Sequence, residues 1–164
     1  MKLITIPEDK YDEYRLDVIF DCYKCDPQFL DNNTIAKHVL VLSRKEHEEL
    51  MKLTESIDKE TREAEEFLNN NLKIAKPLAL PRKIYNELKR MKNYEAEKHI
   101  RLMRYDFHPT IEGKWAVSEV NSDVPGGFAE ASLMPNVARN IFPDKEYWYK
   151  NFGDILTNAI AKKV

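Results

Sequence analysis

The amino-acid sequence predicts a domain of the α/β or α+β class. Short runs rich in β-branched and aromatic residues, which are typical of strands, stand among longer stretches whose apolar residues recur every three or four positions, as in helices. Two strand-like segments, at about 99–107 and 114–121, are separated by a turn signal and predict an antiparallel β-hairpin. The predicted order is strand, strand, helix, helix, hairpin, helix, helix. We therefore expect a small sheet packed with several amphipathic helices.

The first two predicted strands lie in the first quarter of the chain. Residues 14–22 are rich in β-branched and aromatic side chains and predict a strand. Residues 24–33 carry Asp-Pro and Asn-Asn pairs and predict a loop. The apolar run at 39–42 predicts a second, buried strand.

Four amphipathic helices are predicted after these strands. Ser43 and Glu46 have the spacing of a capping box, so we expect a helix that begins there and reaches about Asn70. The other predicted helices cover residues 82–96, 127–141 and 144–162. Pro135 falls inside the third helix and is expected to kink or break it.

Composition and charge limit the kind of protein and its partners. The 164 residues suffice for one domain with a core but not for two large ones, so a single domain over 1–164 is expected. Hydrophobic residues make up 43% and charged residues 33%, which argues against a disordered chain. The formal net charge of −2, without a basic stripe, argues against nucleic acid or an anionic membrane as partner. The absence of a long apolar segment and of a signal-peptide pattern predicts a cytoplasmic location.

The two cysteines and the few glycines exclude some common sites. Cys22 and Cys25 lack the further ligands that a zinc site needs, and Asp26-Pro27 favours a loop rather than the helix start of a redox pair. We expect two reduced thiols, with a zinc or redox role as the alternative. The chain has four glycines and no glycine-rich phosphate loop, so a nucleotide would be bound through a metal ion.

Four polar residues of the predicted hairpin form a candidate site. Side chains alternate between the two faces of a strand, so Arg104 shares a face with Asp106, and Glu119 shares a face with Asn121. A two-residue turn at Glu112-Gly113 would place Asp106 opposite Glu119 and Arg104 opposite Asn121. All four side chains are then expected on one face.

This combination of side chains favours a metal and a phosphate. Two carboxylates that lie directly opposite repel each other, and a divalent cation would remove that cost. Mg²⁺ prefers hard oxygen ligands and commonly takes one or two carboxylates together with substrate phosphates. The arginine would then face a phosphoryl oxygen. The alternative is an exposed ion-paired face in which Arg104 is simply bound to Asp106 or Glu119.

The segment 104–127, which reads RYDFHPTIEGKWAVSEVNSDVPGG, resembles the catalytic hairpin of ATP-grasp ligases. In those enzymes an R-x-D strand and an E-x-N strand hold magnesium against ATP, and an acyl phosphate links a carboxylate to an amine. The resemblance implies ATP and one or two Mg²⁺ ions as cofactors, and a small-molecule carboxylate and amine as substrates. It implies that Arg104 faces the transferring phosphoryl group. It implies these metal ligands: Asp106, Glu119 and Asn121. The following loop would line the acceptor or phosphate pocket, through Ser122, Asp123, Gly126 and Gly127.

The order of the motifs narrows the resemblance. In most ATP-grasp chains the nucleotide-binding lysine strands precede the hairpin, whereas here the preceding residues are mostly helical in pattern and lack glycine. This order is similar to the circularly permuted glutathionylspermidine synthase-like group, and residues 20–28 are similar to an N-terminal stretch of it. Residues 124–127 depart from that group, which tends to carry small hydroxyl residues there. The resemblance implies the N-terminal portion of a longer ligase, with the nucleotide-binding half elsewhere in the polypeptide.

A non-catalytic binding or interaction domain derived from such a ligase is the alternative function. The long charged helix and the aromatic residues near the C-terminal end of the sequence could dock a partner. Those aromatic residues are Tyr147, Trp148, Tyr149 and Phe152. Packing in the core is the competing interpretation of the same aromatic cluster.

Overall fold

The chain folds into two compact units. Unit 1 comprises Met1–Arg44 and Val124–Val164, and unit 2 comprises Lys45–Asp123. The computed structural model describes residues 1–91, 94–99, 101–122, 125–143 and 147–162. These residues contain five α-helices and three two-stranded antiparallel sheets, which confirms the α+β class.

Helix α1 of unit 1, Glu8–Phe20, occupies most of the segment predicted as a strand at 14–22, and that prediction was wrong. The helix follows Pro7, and the acidic residues Glu8 and Asp9 lie in its first turn. Negative charges there interact favourably with the positive end of the helix dipole and stabilise the helix. Tyr11, Tyr14 and Val18 are buried at helical spacing. Burial along this stripe outweighs the strand preference of the aromatic and β-branched residues.

The described residues of unit 1 contain two small antiparallel sheets. Strand β1, Lys2–Thr5, which was not predicted, pairs with β4, His38–Val41. Strand β4 confirms the strand predicted at 39–42 to within one residue, but it is not buried, because its residues are alternately exposed and half-buried. Within the predicted loop, β2, Gln28–Phe29, and β3, Asn32–Asn33, form a very short hairpin.

Two hydrogen bonds fasten this loop to α1, and a third lies within the loop segment. The hydroxyl of Tyr11 donates to the carbonyl of Ile35 at 2.6 Å and accepts from the amide of Asn33 at 2.6 Å. The Asn33 side-chain oxygen in turn accepts from the backbone N–H of Ile35 at 2.9 Å. The polar end of a buried tyrosine is thus satisfied by the loop that covers it.

The core of unit 1 lies between α1 and α4, Phe128–Ile141. Helix α4 agrees with the predicted helix at 127–141 and continues without a break through Pro135. Its buried residues face the stripe of α1. The buried cluster consists of Ile6, Tyr11, Tyr14, Val18, Cys22, Ile35, Val137, Ala138 and Ile141.

Helix α5, Phe152–Ala161, is shorter than the helix predicted at 144–162. Residues 147–151 precede it, and residues 144–146 lie outside the described part of the chain. The ring of Phe152 stacks on Phe128 of α4 with centroids 5.4 Å apart. Tyr149 donates from its hydroxyl to Asn136 at 3.1 Å. Two of the aromatic residues considered for partner docking therefore pack against α4.

Unit 2 is built on a long helix. Helix α2, Arg44–Asn70, confirms the predicted helix that begins after Ser43. Helix α3, Arg82–Arg90, ends earlier than the predicted 82–96. The hairpin consists of β5, Arg104–Pro109, and β6, Trp115–Asn121, so its first strand begins later than predicted.

Among the described residues, no helix is both long and apolar enough to span a membrane.

Arg101 attaches the chain just before the hairpin to α2. Its guanidinium donates to the carboxylate of Glu65 at 2.5 Å, and to the carboxylate and the carbonyl oxygen of Asp58 at 3.0 and 3.2 Å. The hydroxyl of Tyr105 lies 3.5 Å from that of Thr61. These contacts hold the start of β5 along the middle of α2.

Candidate functional site

The strand pairing predicted for the four polar residues is confirmed, because Arg104 pairs with Asn121 and Asp106 pairs with Glu119. Directly opposite residues of an antiparallel pair point to the same side, so the four side chains share one face of the hairpin. We call this set the RDEN face. Asn121 is half-buried and Glu119 is exposed.

The turn that produces this pairing differs from the predicted one. Thr110 donates its N–H to the carbonyl of Lys114 at 2.8 Å, and Gly113 donates to the carbonyl of Thr110 at 3.0 Å. Three residues, 111–113, therefore form the loop, not Glu112-Gly113 alone. Within this loop Gly113 has a positive φ of 74°, whereas Glu112 does not. A two-residue type I′ turn would force both central residues to positive φ, which is unfavourable for glutamate.

A β-bulge at Ser118 restores the predicted pairing at the RDEN face. The partner of Phe107 is Val117, while the partner of Asp106 is Glu119, so Ser118 is the extra residue. Its hydroxyl donates to the carbonyl of Asp106 at 3.0 Å. The bulge also places apolar Val117, rather than Ser118, opposite Phe107, which favours this arrangement over a regular ladder.

Arg104 and Asp106 form a two-pronged ion pair. The Nε of Arg104 donates to Oδ1 of Asp106 at 2.8 Å, and its Nη2 donates to Oδ2 at 3.0 Å. Both side chains are more than a third exposed, at 39% and 35%. Hydrogen bonding to Asp106 raises the pKa of Arg104, with a smaller contribution from the charge of Glu119. The same hydrogen bonds lower the pKa of Asp106. This is the pairing foreseen by the alternative interpretation of the site.

The carboxyl of Asp106 is expected to titrate below the ordinary aspartate range, and Arg104→Gln is expected to raise its pKa. Because the folded pKa is depressed, the pair stabilises the fold above the unfolded pKa of about 4. This stabilisation is lost as the pH falls through the lower folded pKa. Carbon-detected NMR titration of the side-chain carboxyls measures both values.

Arg90→Gln is the matched control for this titration, because Arg90 forms an exposed pair with a different carboxylate, Glu87, on α3. It should leave the pKa of Asp106 unchanged. An Asp106 carboxyl that titrates identically in the wild type and in Arg104→Gln would contradict the role given to the ion pair.

The donor set of the RDEN face fits Mg²⁺ in chemical type. Two carboxylates and a side-chain amide oxygen are hard ligands, and such sites are commonly completed by substrate phosphates. Within the described ranges, no group of three or more His, Cys, Asp or Glu side chains is arranged to hold a metal ion. The face therefore offers an open, partial set of ligands. Asp106 would have to exchange its contact with Arg104 for a contact with the ion.

The residues predicted to line a substrate pocket fall into both units. Ser122 is exposed and directly follows β6 in unit 2. Gly126 and Gly127 precede α4 in unit 1, and Gly127 caps that helix with a positive φ of 86°. Such a φ is readily adopted only by glycine. Asp123 lies outside the described residues.

The cysteines follow a helix, not a strand as expected. Cys22 is buried, Cys25 is exposed, and both are free thiols. Burial raises the pKa of Cys22, with nearby acidic residues adding to the effect. A raised pKa lowers the thiolate fraction, which is opposite to the requirement of a redox-active cysteine.

Two residues that shape the candidate site did not stand out in the sequence. Ser118 is a small polar residue in an otherwise alternating strand, and its role as the bulge depends on the turn several residues earlier. Arg101 is one of many charged residues, and its importance depends on partners that lie 36 and 43 positions earlier in the chain.

The sequence and the structure were compared with known proteins, and no relative was found. No protein-family model matches the chain, and neither the curated proteins nor the solved structures give a match. The resemblance to ATP-grasp ligases therefore depends on the residues of the hairpin and on their pairing.

Proposed function

We propose that the hairpin of unit 2 contributes the metal- and phosphate-binding face of an ATP- and Mg²⁺-dependent carboxylate–amine ligase, resembling the glutathionylspermidine synthase-like group. The observation that supports this most is the pairing of Asp106 with Glu119 and of Arg104 with Asn121 on one face. The substrates in this proposal are a small-molecule carboxylate and an amine.

The residues of the RDEN face would have two roles, metal binding and phosphate binding, according to the chemistry of their side chains. Asp106, Glu119 and Asn121 would hold Mg²⁺, and the bound ion would neutralise charge on the phosphates of ATP. Arg104 would bind an oxygen of the transferring phosphoryl group. Its pKa is raised in the pair with Asp106, so it remains a cation throughout the physiological pH range. The ion pair would hold the guanidinium of Arg104 at the RDEN face until a phosphate oxygen replaces the carboxylate of Asp106 as its partner.

A thermal-shift experiment with Mg²⁺ and a non-hydrolysable ATP analogue tests this proposal. At ten times the dissociation constant, ligand binding should stabilise the chain by about 1.4 kcal/mol. For a chain of this size that corresponds to a rise in Tm of roughly 2–6 °C. The rise should be largest when both components are present, because the phosphates complete the ligands of the ion.

Glu119→Gln and Asp106→Asn should abolish most of this shift, since each removes one charged ligand. Glu112→Gln is the matched control, because Glu112 is an exposed carboxylate of the same hairpin that lies in the turn. The proposal fails if the folded wild type shows no shift with Mg²⁺ and the analogue. It fails equally if all three variants shift as the wild type does.

The alternative is a non-catalytic binding or interaction domain derived from such a ligase. The observation that favours it is the two-pronged pairing of Arg104 with Asp106, which already neutralises two of the four charged or polar groups. Under this alternative the pair persists in the presence of Mg²⁺ and the ATP analogue. The NMR titration of Asp106 would then give the same pKa with and without these ligands.

A further inference from the structure

Helix α1 of unit 1 has an outward side that the proposed function does not use. Successive residues of a helix are about 100° apart, so this side lies opposite the buried stripe of Tyr11, Tyr14 and Val18. It combines two apolar side chains with three carboxylates. We call it the outer face of α1, and it consists of Asp9, Glu13, Leu16, Asp17 and Phe20.

The two apolar side chains of the outer face are largely exposed. Leu16 is 49% exposed and Phe20 is 70% exposed. They are four residues apart and are therefore neighbours on the helix surface. A helix with apolar residues on opposite sides is typical of one that is packed on both sides, and the core covers only one side of α1. The pair therefore indicates a second packing surface.

The carboxylates of the outer face form a row of like charge. Asp9, Glu13 and Asp17 follow one another at intervals of four residues, and Asp21 continues the row at the end of the helix. Like charges at this spacing destabilise a helix. The last turn of α1, all of whose residues are described, contains no basic side chain to interact with the negative end of the helix dipole. The row therefore lowers the stability of the free protein.

Asp17 is the carboxylate at which this cost is clearest. Burial, and then the charges of Asp21 and Glu13, raise the pKa of Asp17. A raised pKa in the folded chain means that the charged form of Asp17 destabilises the fold at neutral pH. Lys37, a nearby cation of unit 1, already binds Glu8 at 2.7 Å. A cation supplied by a partner would relieve the repulsion along the row.

We propose that the outer face of α1 binds a basic amphipathic helix of a partner protein. The apolar side chains of that helix would cover Leu16 and Phe20, and its lysine or arginine side chains would lie along the row of carboxylates. Charge complementarity selects this occupant. An acidic helix would add to the repulsion, and a second copy of this chain would bring two acidic faces together.

Fluorescence anisotropy with a labelled synthetic peptide tests the proposal. The probe is a leucine–lysine peptide of about 18 residues, which is long enough to form a helix with one apolar and one basic side. A peptide with the same residues in scrambled order should bind at least about tenfold more weakly, and so should a leucine–glutamate peptide of the original pattern. Equal affinities for the leucine–lysine peptide and its scrambled form would show attraction between charges alone and would overturn the proposal.

Replacing both Leu16 and Phe20 by alanine should weaken binding of the leucine–lysine peptide by at least about tenfold, because the apolar contacts are lost. Both side chains are exposed, so the double variant should fold. The matched control replaces Met51 and Phe67 of α2, which are 50% and 56% exposed, by alanine. The control should bind the peptide as the wild type does. Similar losses in the two double variants would contradict the assignment to α1.

Asp17→Asn gives a readout in which binding and stability change in opposite directions. It should weaken peptide binding several-fold, and it should raise the Tm of the free chain, because the charged carboxylate destabilises the fold at neutral pH. Glu55→Gln makes the same change in net charge at an exposed position of α2 and should leave both quantities nearly unchanged. A lower Tm or unchanged binding in Asp17→Asn would refute the role given to the carboxylates.

Sedimentation velocity tests for the other occupant, a second copy of this chain. The free chain should not self-associate through α1. A dimer that forms in the wild type and is lost when Leu16 and Phe20 are both alanine would show that a second copy covers the outer face, and it would overturn the proposal.

Discussion

Ile6→Ala is expected to lower the free energy of unfolding of unit 1 by about 2–5 kcal/mol. The side chain of Ile6 is 1% exposed and packs in the cluster that contains Tyr14 and Val18. Its backbone N–H donates to the carbonyl of Lys37 at 2.9 Å, so the backbone around the new cavity is held in place. Because the surroundings cannot collapse into the cavity, the free energy of unfolding falls by the full cost of that cavity.

Urea unfolding monitored by tryptophan fluorescence measures this effect. The chain has two tryptophans, so Trp115→Phe leaves Trp148 as a reporter in unit 1. Leu3→Ala in the same unit is the control, since Leu3 is 64% exposed and should change the stability by less than about 0.5 kcal/mol. Similar losses in both variants would show that the cluster around Ile6 is not the core of unit 1.

Arg101→Met is expected to destabilise unit 2 by about 2 kcal/mol, which is typical of hydrogen bonds to charged groups. The side chain of Arg101 is 20% exposed, and it bonds both Asp58 and Glu65 on α2. Without the guanidinium, the carboxylates of Asp58 and Glu65 lose the cation that they share. Methionine keeps most of the aliphatic length, so the loss reports the charge more than the packing.

Trp148→Phe leaves Trp115 as the reporter of unit 2 for this measurement. Arg90→Met is the matched control, because Arg90 is 75% exposed and pairs with Glu87 at 2.7 Å on the surface of α3. Exposed pairs contribute little, so the control should lose less than about 0.5 kcal/mol. Equal losses at the two positions would contradict a special role for Arg101.

The sequence predicts the helices of this fold best where a boundary signal and a long apolar period agree. The capping box before α2 and the long stripe that follows it predict that helix almost to the residue. The strand prediction for residues 14–22 was wrong because the segment carries the signals of a helix and of a strand at once. Tyr14, Val18 and Cys22 have helical spacing, whereas Val18, Ile19 and Phe20 together have the composition of a strand. Packing against α4 decides between them, and that packing involves residues more than 100 positions away.

The RDEN face was predictable because side-chain alternation is local, whereas its pairing was predicted through a turn that the hairpin does not use. Glu112 resists positive φ, and the extra loop residue is compensated by the bulge at Ser118. Alternation and turn chemistry could not reveal the bulge, because it follows from the gain of placing Val117 opposite Phe107. The pairing of Arg104 with Asp106 was one of two alternatives, and side-chain geometry was needed to decide between them.

The compensation between the turn and the bulge bears on how such a hairpin can evolve. A two-residue turn with a regular ladder and a three-residue turn with one bulged residue have the same number of residues between Asp106 and Glu119. Both lead to the same four side chains on the same face. Mutations that convert one turn into the other therefore leave the arrangement of these four side chains unchanged. The sequence of the turn can change during evolution while the four polar residues are retained. Two distant descendants could share the motif and its spacing and yet differ in every hydrogen bond between the turn and the site.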